Sequence, residues 1–206
     1  FSDYTQVNAA LDQGEVDLNA FQHQAYLDKE NEELGYDIVS IGKTVIAPLG
    51  LYSNNITDIK EVKKGDTISI PNDVTNGGRA LQLLEAAGLL ELEDVAVPSL
   101  KDIKNNPYDL EILEIAAANL PITLDDVTLA AINSGIAVDA GFSPAQDSIV
   151  FEEVALDSDN PYINIIAANR KDKDNALFKK VLDVYYTDAV RELIIEDSKG
   201  ASIPVW

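Results

Sequence analysis

Cysteine and methionine are both absent from the 206 residues, and histidine and tryptophan occur once each. Without cysteine there is neither a disulfide framework nor a thiolate metal site, and the redox compartment leaves no mark. A single histidine removes most nucleophile–base pairs and imidazole clusters as well. Basic residues are scarce: 15 Lys and Arg stand against 36 Asp and Glu, a formal charge of −21. Such a chain repels nucleic-acid phosphates and anionic bilayers, so no nucleic-acid partner is expected. No run approaches the roughly 18 consecutive apolar residues of a membrane span. The chain opens at Phe1 and so reads as the interior of a longer protein, with any signal peptide or lipid-accepting cysteine expected upstream.

What is present is a globular composition, 46% apolar and 25% charged. Short apolar runs alternate with longer amphipathic ones, which predicts an α/β architecture of helices packed on mostly parallel sheets. Thr5 to Gln13 reads as a helix stopped at Gly14, Val16 to Leu18 as a short strand, and Phe21 to Leu34 as a helix closed by Gly35. Strands are expected at Tyr36 to Ile41, Thr44 to Tyr52, Thr67 to Ile70, Glu111 to Ile115, Leu129 to Ile132, Ser148 to Glu152 and Ile163 to Ala168. Asp58 to Val62 reads as one helical turn, Arg79 to Ala87 as a helix ending at Gly88, and two amphipathic helices finish the chain. No fixed-period repeat or Pro/Gly/Ser-rich linker marks a boundary.

One segment has the makings of an anion site. Residues Ser69 to Arg79 run from a strand through a turn into a helix, where unpaired N–H groups and the positive dipole end collect. Gly77 and Gly78 would let a ligand approach the backbone, and Arg79 offers a planar fork for a carboxylate. The P-loop lysine and the dinucleotide glycine spacing are both missing, which favours a small carboxylate over a nucleotide.

Several stretches resemble the NlpA-type family, the methionine-binding lipoproteins of bacterial ABC importers. Phe1 to Tyr4 with Asn8, Ala10 and Leu11 is similar to the family's F-x-D-Y…N-x-A-L opening, and Asp17 to His23 reads D-L-N-A-F-Q-H, followed by Tyr26 and Leu27. Pro48 to Ser53 resembles P-x-x-x-Y-S. Pro71-Asn72-Asp73, Asn76 and Gly78-Arg79 resemble P-N-D-x-x-N-x-G-R. Asn106-Pro107, Leu120-Pro121, Leu124-Asp125-Asp126, Ile132-Asn133, Pro161-Tyr162, Ile163-Asn164 and the closing Trp206 keep the family's order, so the likeness spans the chain. The G-x-x-x-G-P-H-like first strand and helix of the family have no counterpart here. Ile122 and Ile136 stand where the family often has arginine and an aromatic residue.

The resemblance implies a type 2 periplasmic-binding-protein-like fold of two lobes with a cleft between them. Lobe 1 would be 1–54 plus 165–206, lacking its first strand and helix, and lobe 2 would be 55–164. It also implies an extracytoplasmic, lipid-anchored carrier that closes by hinge motion on methionine or a close analogue and delivers it to an ABC importer permease. Carried over residue by residue, Arg79 would hold the α-carboxylate with Asn76 nearby, while Asn133 and Asn164 would hold the polar end. Phe21, Tyr26 and Tyr52 would meet the thioether, because polarizable sulfur is favoured beside ring edges. His23 would face the cleft without proton chemistry, since no titratable partner stands at a usable spacing.

Two other classes compete with this reading. An enzyme would need catalytic groups that the composition does not supply, and Asp125-Asp126 or Asp157 with Asp159 lack the spacing of a calcium loop. No catalytic residue, metal or cofactor is therefore expected. The effector domain of a transcription regulator shares the architecture, and a binding protein for a methionine-containing dipeptide would share the site.

Overall fold

Apolar periodicity becomes ten strands and seven α-helices in the computed structural model, which describes residue 1, residues 3–157 and residues 159–206. Ser2, the variable position of the opening motif, and Ser158 lie outside the described residues. In chain order the elements are α1 (Thr5–Asp12), α2 (Gln24–Leu34), β1 (Ile38–Ile46), β2 (Leu49–Tyr52), β3 (Thr67–Pro71), α3 (Val74–Ala86), β4 (Glu91–Leu92), β5 (Ile103–Asn105) and β6 (Glu111–Ile115). They continue with β7 (Leu129–Asn133), α4 (Ser134–Asp139), α5 (Pro144–Asp147), β8 (Val150–Phe151), β9 (Ile163–Asn169), α6 (Ala176–Tyr185), α7 (Asp188–Asp197) and β10 (Ile203–Pro204). Among the described residues no helix is long and apolar enough to cross a membrane.

The chain divides into two compact units: Phe1–Ala47 with Val154–Trp206 is unit 1, and Pro48–Glu153 is unit 2. The changeovers expected at 54/55 and 164/165 fall instead at 47/48 and 153/154, because β2 pairs with β7 in unit 2 while β9 pairs along its length with β1 in unit 1.

In unit 1 the strand order is β10-β1-β9, and both pairings are antiparallel. The antiparallel sense has a simple origin: β1 is the strand on which the chain leaves the unit and β9 the one on which it returns. Leu11 of α1, Leu27 of α2, Ile38 of β1 and Ile165 and Ala167 of β9 form its core. The expected strand at Val16 to Leu18 contracts to one bridge, in which Asn19 and Ala167 exchange backbone hydrogen bonds of 3.1 and 2.9 Å. The break expected between Ile41 and Thr44 moves to Pro48, whose nitrogen cannot donate: β1 runs on to Ile46 and β2 begins at Leu49. Gly42 lies within β1 because α6 passes over it; a Cβ there would sit 2.6 Å from Leu182 Cδ2. Trp206 closes the unit by packing its ring 5.1 Å from Tyr185 and 5.5 Å from Tyr186.

Unit 2 holds a five-stranded sheet in the order β6-β3-β7-β2-β8. Its first three strands are parallel, as the βα rhythm predicts, and β2 and β8 add antiparallel. One face carries Leu49, Leu51, Ile68, Ile70, Leu129 and Ala131, which pack against Ala80, Leu81, Leu83 and Leu84 of α3. The strand expected at Ser148 to Glu152 shortens to β8. Helix α3 begins five residues earlier than expected, at Val74, with Asp73 as its N-cap.

Candidate functional site

The strand-to-helix junction of unit 2 is built by its own side chains. Asp73 accepts the backbone N–H of Asn76 at 2.9 Å and the Asn76 carboxamide at 3.0 and 3.1 Å, with Thr75 Oγ1 donating at 3.1 Å. Burial raises the Asp73 carboxyl above its ordinary range, and the bonds from Asn76 and Thr75 pull it back. The protein thus sets its own anion against the first turn of α3. Gly77 and Gly78 fall inside the helix, and their bareness serves packing rather than ligand approach. A Cβ on either would lie 2.8 Å from a carbonyl oxygen, that of Pro71 or Pro98 respectively.

Arg79 emerges one turn further along and is 2% exposed. Its guanidinium donates to Glu152 in bidentate fashion, Nε to Oε1 at 2.7 Å and Nη2 to Oε2 at 2.6 Å. Glu152 Oε2 also accepts the Leu49 N–H at 2.8 Å, so the pair is tied to the start of β2. Asn133, at the end of β7, donates its carboxamide to Asn76 Oδ1 at 3.0 Å. Its own Oδ1 is buried and has no hydrogen-bond partner among the described residues. Arg79, Asn76 and Asn133 therefore all belong to the face of the sheet that α3 covers. A cavity of about 500 Å³ opens against Arg79 and Glu152, with Gln82, Leu83 and Phe151 on its walls; Asn76 and Asn133 do not line it.

Tyr52 is not part of that group. Leu49 pairs with Asn133 and Tyr52 with Ala130 across β2 and β7, and side chains alternate along a strand, so Tyr52 points to the opposite face. There it is 1% exposed, 5.2 Å ring to ring from Phe142, and folded over Gly50, where a Cβ would lie 2.7 Å from Tyr52 Cε2. Its hydroxyl is buried without a hydrogen-bond partner among the described residues, and burial first, with the charge of Asp147 second, raises its pKa well above the usual phenol range.

Unit 1 gathers the other expected residues on and around α2. His23 is the N-cap of this helix: Nδ1 accepts the Tyr26 N–H at 3.0 Å, which makes Nδ1 the unprotonated nitrogen. The Phe21 ring lies 5.8 Å from Tyr26 in an edge contact, and the His23 ring lies 6.3 Å from it, also edge-on. Asn164 of β9 forms a bridge with His23. Two aromatics missing from the sequence reading join them: Tyr4, 5.7 Å from Phe21, and Tyr162, 5.3 Å from His23. Both stand inside quoted motifs, the F-x-D-Y opening and Pro161-Tyr162, so a signal was available. Glu152 carried none, because its partner Arg79, 73 residues away along the chain, leaves no local pattern.

A family model described as NlpA lipoprotein matches residues 1–206. The D-methionine-binding lipoprotein MetQ of Escherichia coli K12 is 38% identical over 210 residues, covering 100% of this chain and 76% of that protein. The structure of a nutrient binding protein from Burkholderia cenocepacia bound to methionine is 40% identical with a TM-score of 0.94, covering 100% of this chain and 86% of that one. An ABC transporter periplasmic substrate-binding protein from Coxiella burnetii is 41% identical with a TM-score of 0.93, covering 99% and 85%. The fold is accordingly the periplasmic-binding-protein type expected, and the chain belongs to the NlpA lipoprotein family.

Proposed function

We propose that this protein captures methionine, or a close analogue of it, outside the cytoplasm and delivers it to the permease of an ABC importer. It acts as a carrier with no chemical turnover, is held at the membrane by a lipid anchor upstream of Phe1, and uses its two compact units as the two lobes of the binding protein. The observation that carries this reading is local to unit 2: a nearly fully buried arginine stands with two linked carboxamides, and Asn133 Oδ1 lies buried without a partner among the described residues. A free amino acid leaving water must recover hydrogen bonds for both its charged groups. Five N–H donors let one guanidinium serve Glu152 and further acceptors together, so Arg79 receives the ligand's carboxylate, and the orphaned Asn133 oxygen suits the ammonium. Asn164 supplies a further carboxamide, and Phe21, His23 and Tyr26 supply ring edges for the thioether. Tyr52 has a packing role in this proposal.

Titration calorimetry of methionine into the full-length protein and its Asn133→Ala variant tests the assignment. Losing one bond to a charged group costs about 1.5–3 kcal/mol, which is about a tenfold to hundredfold loss of affinity. Equal affinities would remove Asn133 from the site, and no binding to the wild type would end the methionine reading.

A further inference from the structure

The opening motifs contain polar residues that ligand binding has not used: Asn8, Asn19 and Gln22. All three are buried, Asn8 completely, and they bond to one another. Asn8 Oδ1 accepts from Asn19 Nδ2 at 2.9 Å and from Gln22 Nε2 at 2.7 Å, while Gln22 Nε2 also donates to Asn19 Oδ1 at 3.1 Å. Asn8 Nδ2 donates to Gln22 Oε1 at 2.7 Å and to Glu30 Oε2 at 2.9 Å. Each amide nitrogen of Asn8 and Gln22 thereby spends both its hydrogens, so the direction of every bond is fixed and the network ends on Glu30. The other oxygen of Glu30 accepts the Tyr26 hydroxyl at 3.0 Å. Tyr26 and Glu30 are four residues apart on α2 and share one face, so the bond needs no distortion of the helix.

We propose that Glu30 is a positioning residue for ligand recognition: its carboxylate, held by the buried carboxamides of α1 and the α1–α2 connection, fixes the Tyr26 ring against Phe21 and His23. The ring is thereby held at both ends, by the His23 cap on its backbone N–H and by Glu30 on its phenol. Without the second hold the ring keeps its buried area but loses its set orientation. An edge contact to sulfur depends on that orientation, whereas plain apolar burial does not. Glu30 itself need not touch the ligand.

The proposal rests on the reading that Tyr26 lines the methionine site, and the test separates the two. Calorimetry compares the full-length wild type, Glu30→Ala, Glu30→Gln, Tyr26→Phe and the Glu30→Ala/Tyr26→Phe double variant. Glu30→Ala is expected to weaken methionine about tenfold. Glu30→Gln restores most of the loss, because its oxygen accepts from Asn8 and its nitrogen donates to a reversed phenol. In the Tyr26→Phe background Glu30→Ala should change affinity less than twofold, since the bond it removes is already gone. A wild type that binds methionine beside a Glu30→Ala variant of equal affinity overturns this proposal alone. So does a tenfold loss that persists undiminished in the Tyr26→Phe background, because the effect then bypasses the phenol. A wild type that binds no methionine overturns both readings. Should Glu30→Ala fail to fold, Tyr26→Phe decides by itself: unchanged affinity overturns the positioning role, and a loss of similar size supports it.

Discussion

Helix α2 of unit 1 starts behind the imidazole of His23, whose Nδ1 accepts the Tyr26 N–H at 3.0 Å; helix α3 of unit 2 starts behind Asp73, whose carboxylate accepts the Asn76 N–H at 2.9 Å. In both, the residue three places after the cap carries a side chain of the candidate site, so one backbone device sets two different chemistries. Around α2 the supports are neutral carboxamides and rings that end on one carboxylate. Around α3 they are a charge pair whose arginine is buried and a chain of carboxamides. The contrast shows that a helix cap supplies position, while the neighbours brought in by tertiary structure decide what that position can recognise.

The sharpest way to break the contrast is to remove the charge support from unit 2. Glu152→Ala leaves the guanidinium of Arg79 buried without its carboxylate, and denaturant unfolding should show a loss of about 3–5 kcal/mol. A loss under about 1 kcal/mol would mean that α3 does not depend on the pair. A smaller effect separates the packing role of the glycines from a ligand role. Gly77→Ala pushes a methyl group to 2.8 Å from the Pro71 carbonyl, a backbone atom that cannot step aside. Overpacking of about 1–3 kcal/mol should outweigh the ~1 kcal/mol that alanine gains in a helix. The same change at Gly135 in α4 meets nothing within 4 Å and should stabilise the protein. If thermal melts show both variants gaining stability, Gly77 is not required for packing.

The smallest effect lies in the cap itself and shows as a slope with pH. Folding raises the Asp73 carboxyl above 3.8, chiefly through burial, so the folded state holds this proton more tightly than the unfolded state does. The ionised form is therefore the less favoured one in the fold. Stability relative to Asp73→Asn, a cap of equal rank, should rise as pH falls through the raised pKa and level off below the ordinary value. At neutral pH the two proteins should differ by no more than about 1 kcal/mol. Unfolding free energies measured across acidic pH would contradict the burial argument if the difference ran the other way.

How much of this was legible in the sequence varies with the range of the interaction. Strand β6, at Glu111–Ile115, falls where alternation and its flanks put it, and the two final helices follow their apolar spacing. Helix α3 was misread at its start because two glycines argue against a helix; the structure keeps them helical since α3 lies too close to Pro71 and Pro98 for any side chain. Tyr52 stood in a family motif, yet strand parity sends it to the other face from Asn133, and parity needs the register of β2 on β7. Glu152 was invisible, because nothing near position 152 announces a partner at 79.

By itself the sequence determined the α/β class and the family, and it named the residues proposed for a carboxylate-binding and aromatic site. Those properties reside in local order: periodicity, caps and short motifs read within a turn or two of chain. Tertiary structure alone decided which of those residues meet, that Arg79 is already held by Glu152, that Tyr52 faces away, and that Asn8, Asn19 and Gln22 converge on Glu30. Burial and strand register join residues far apart in the chain, and neither leaves a record in the neighbouring letters.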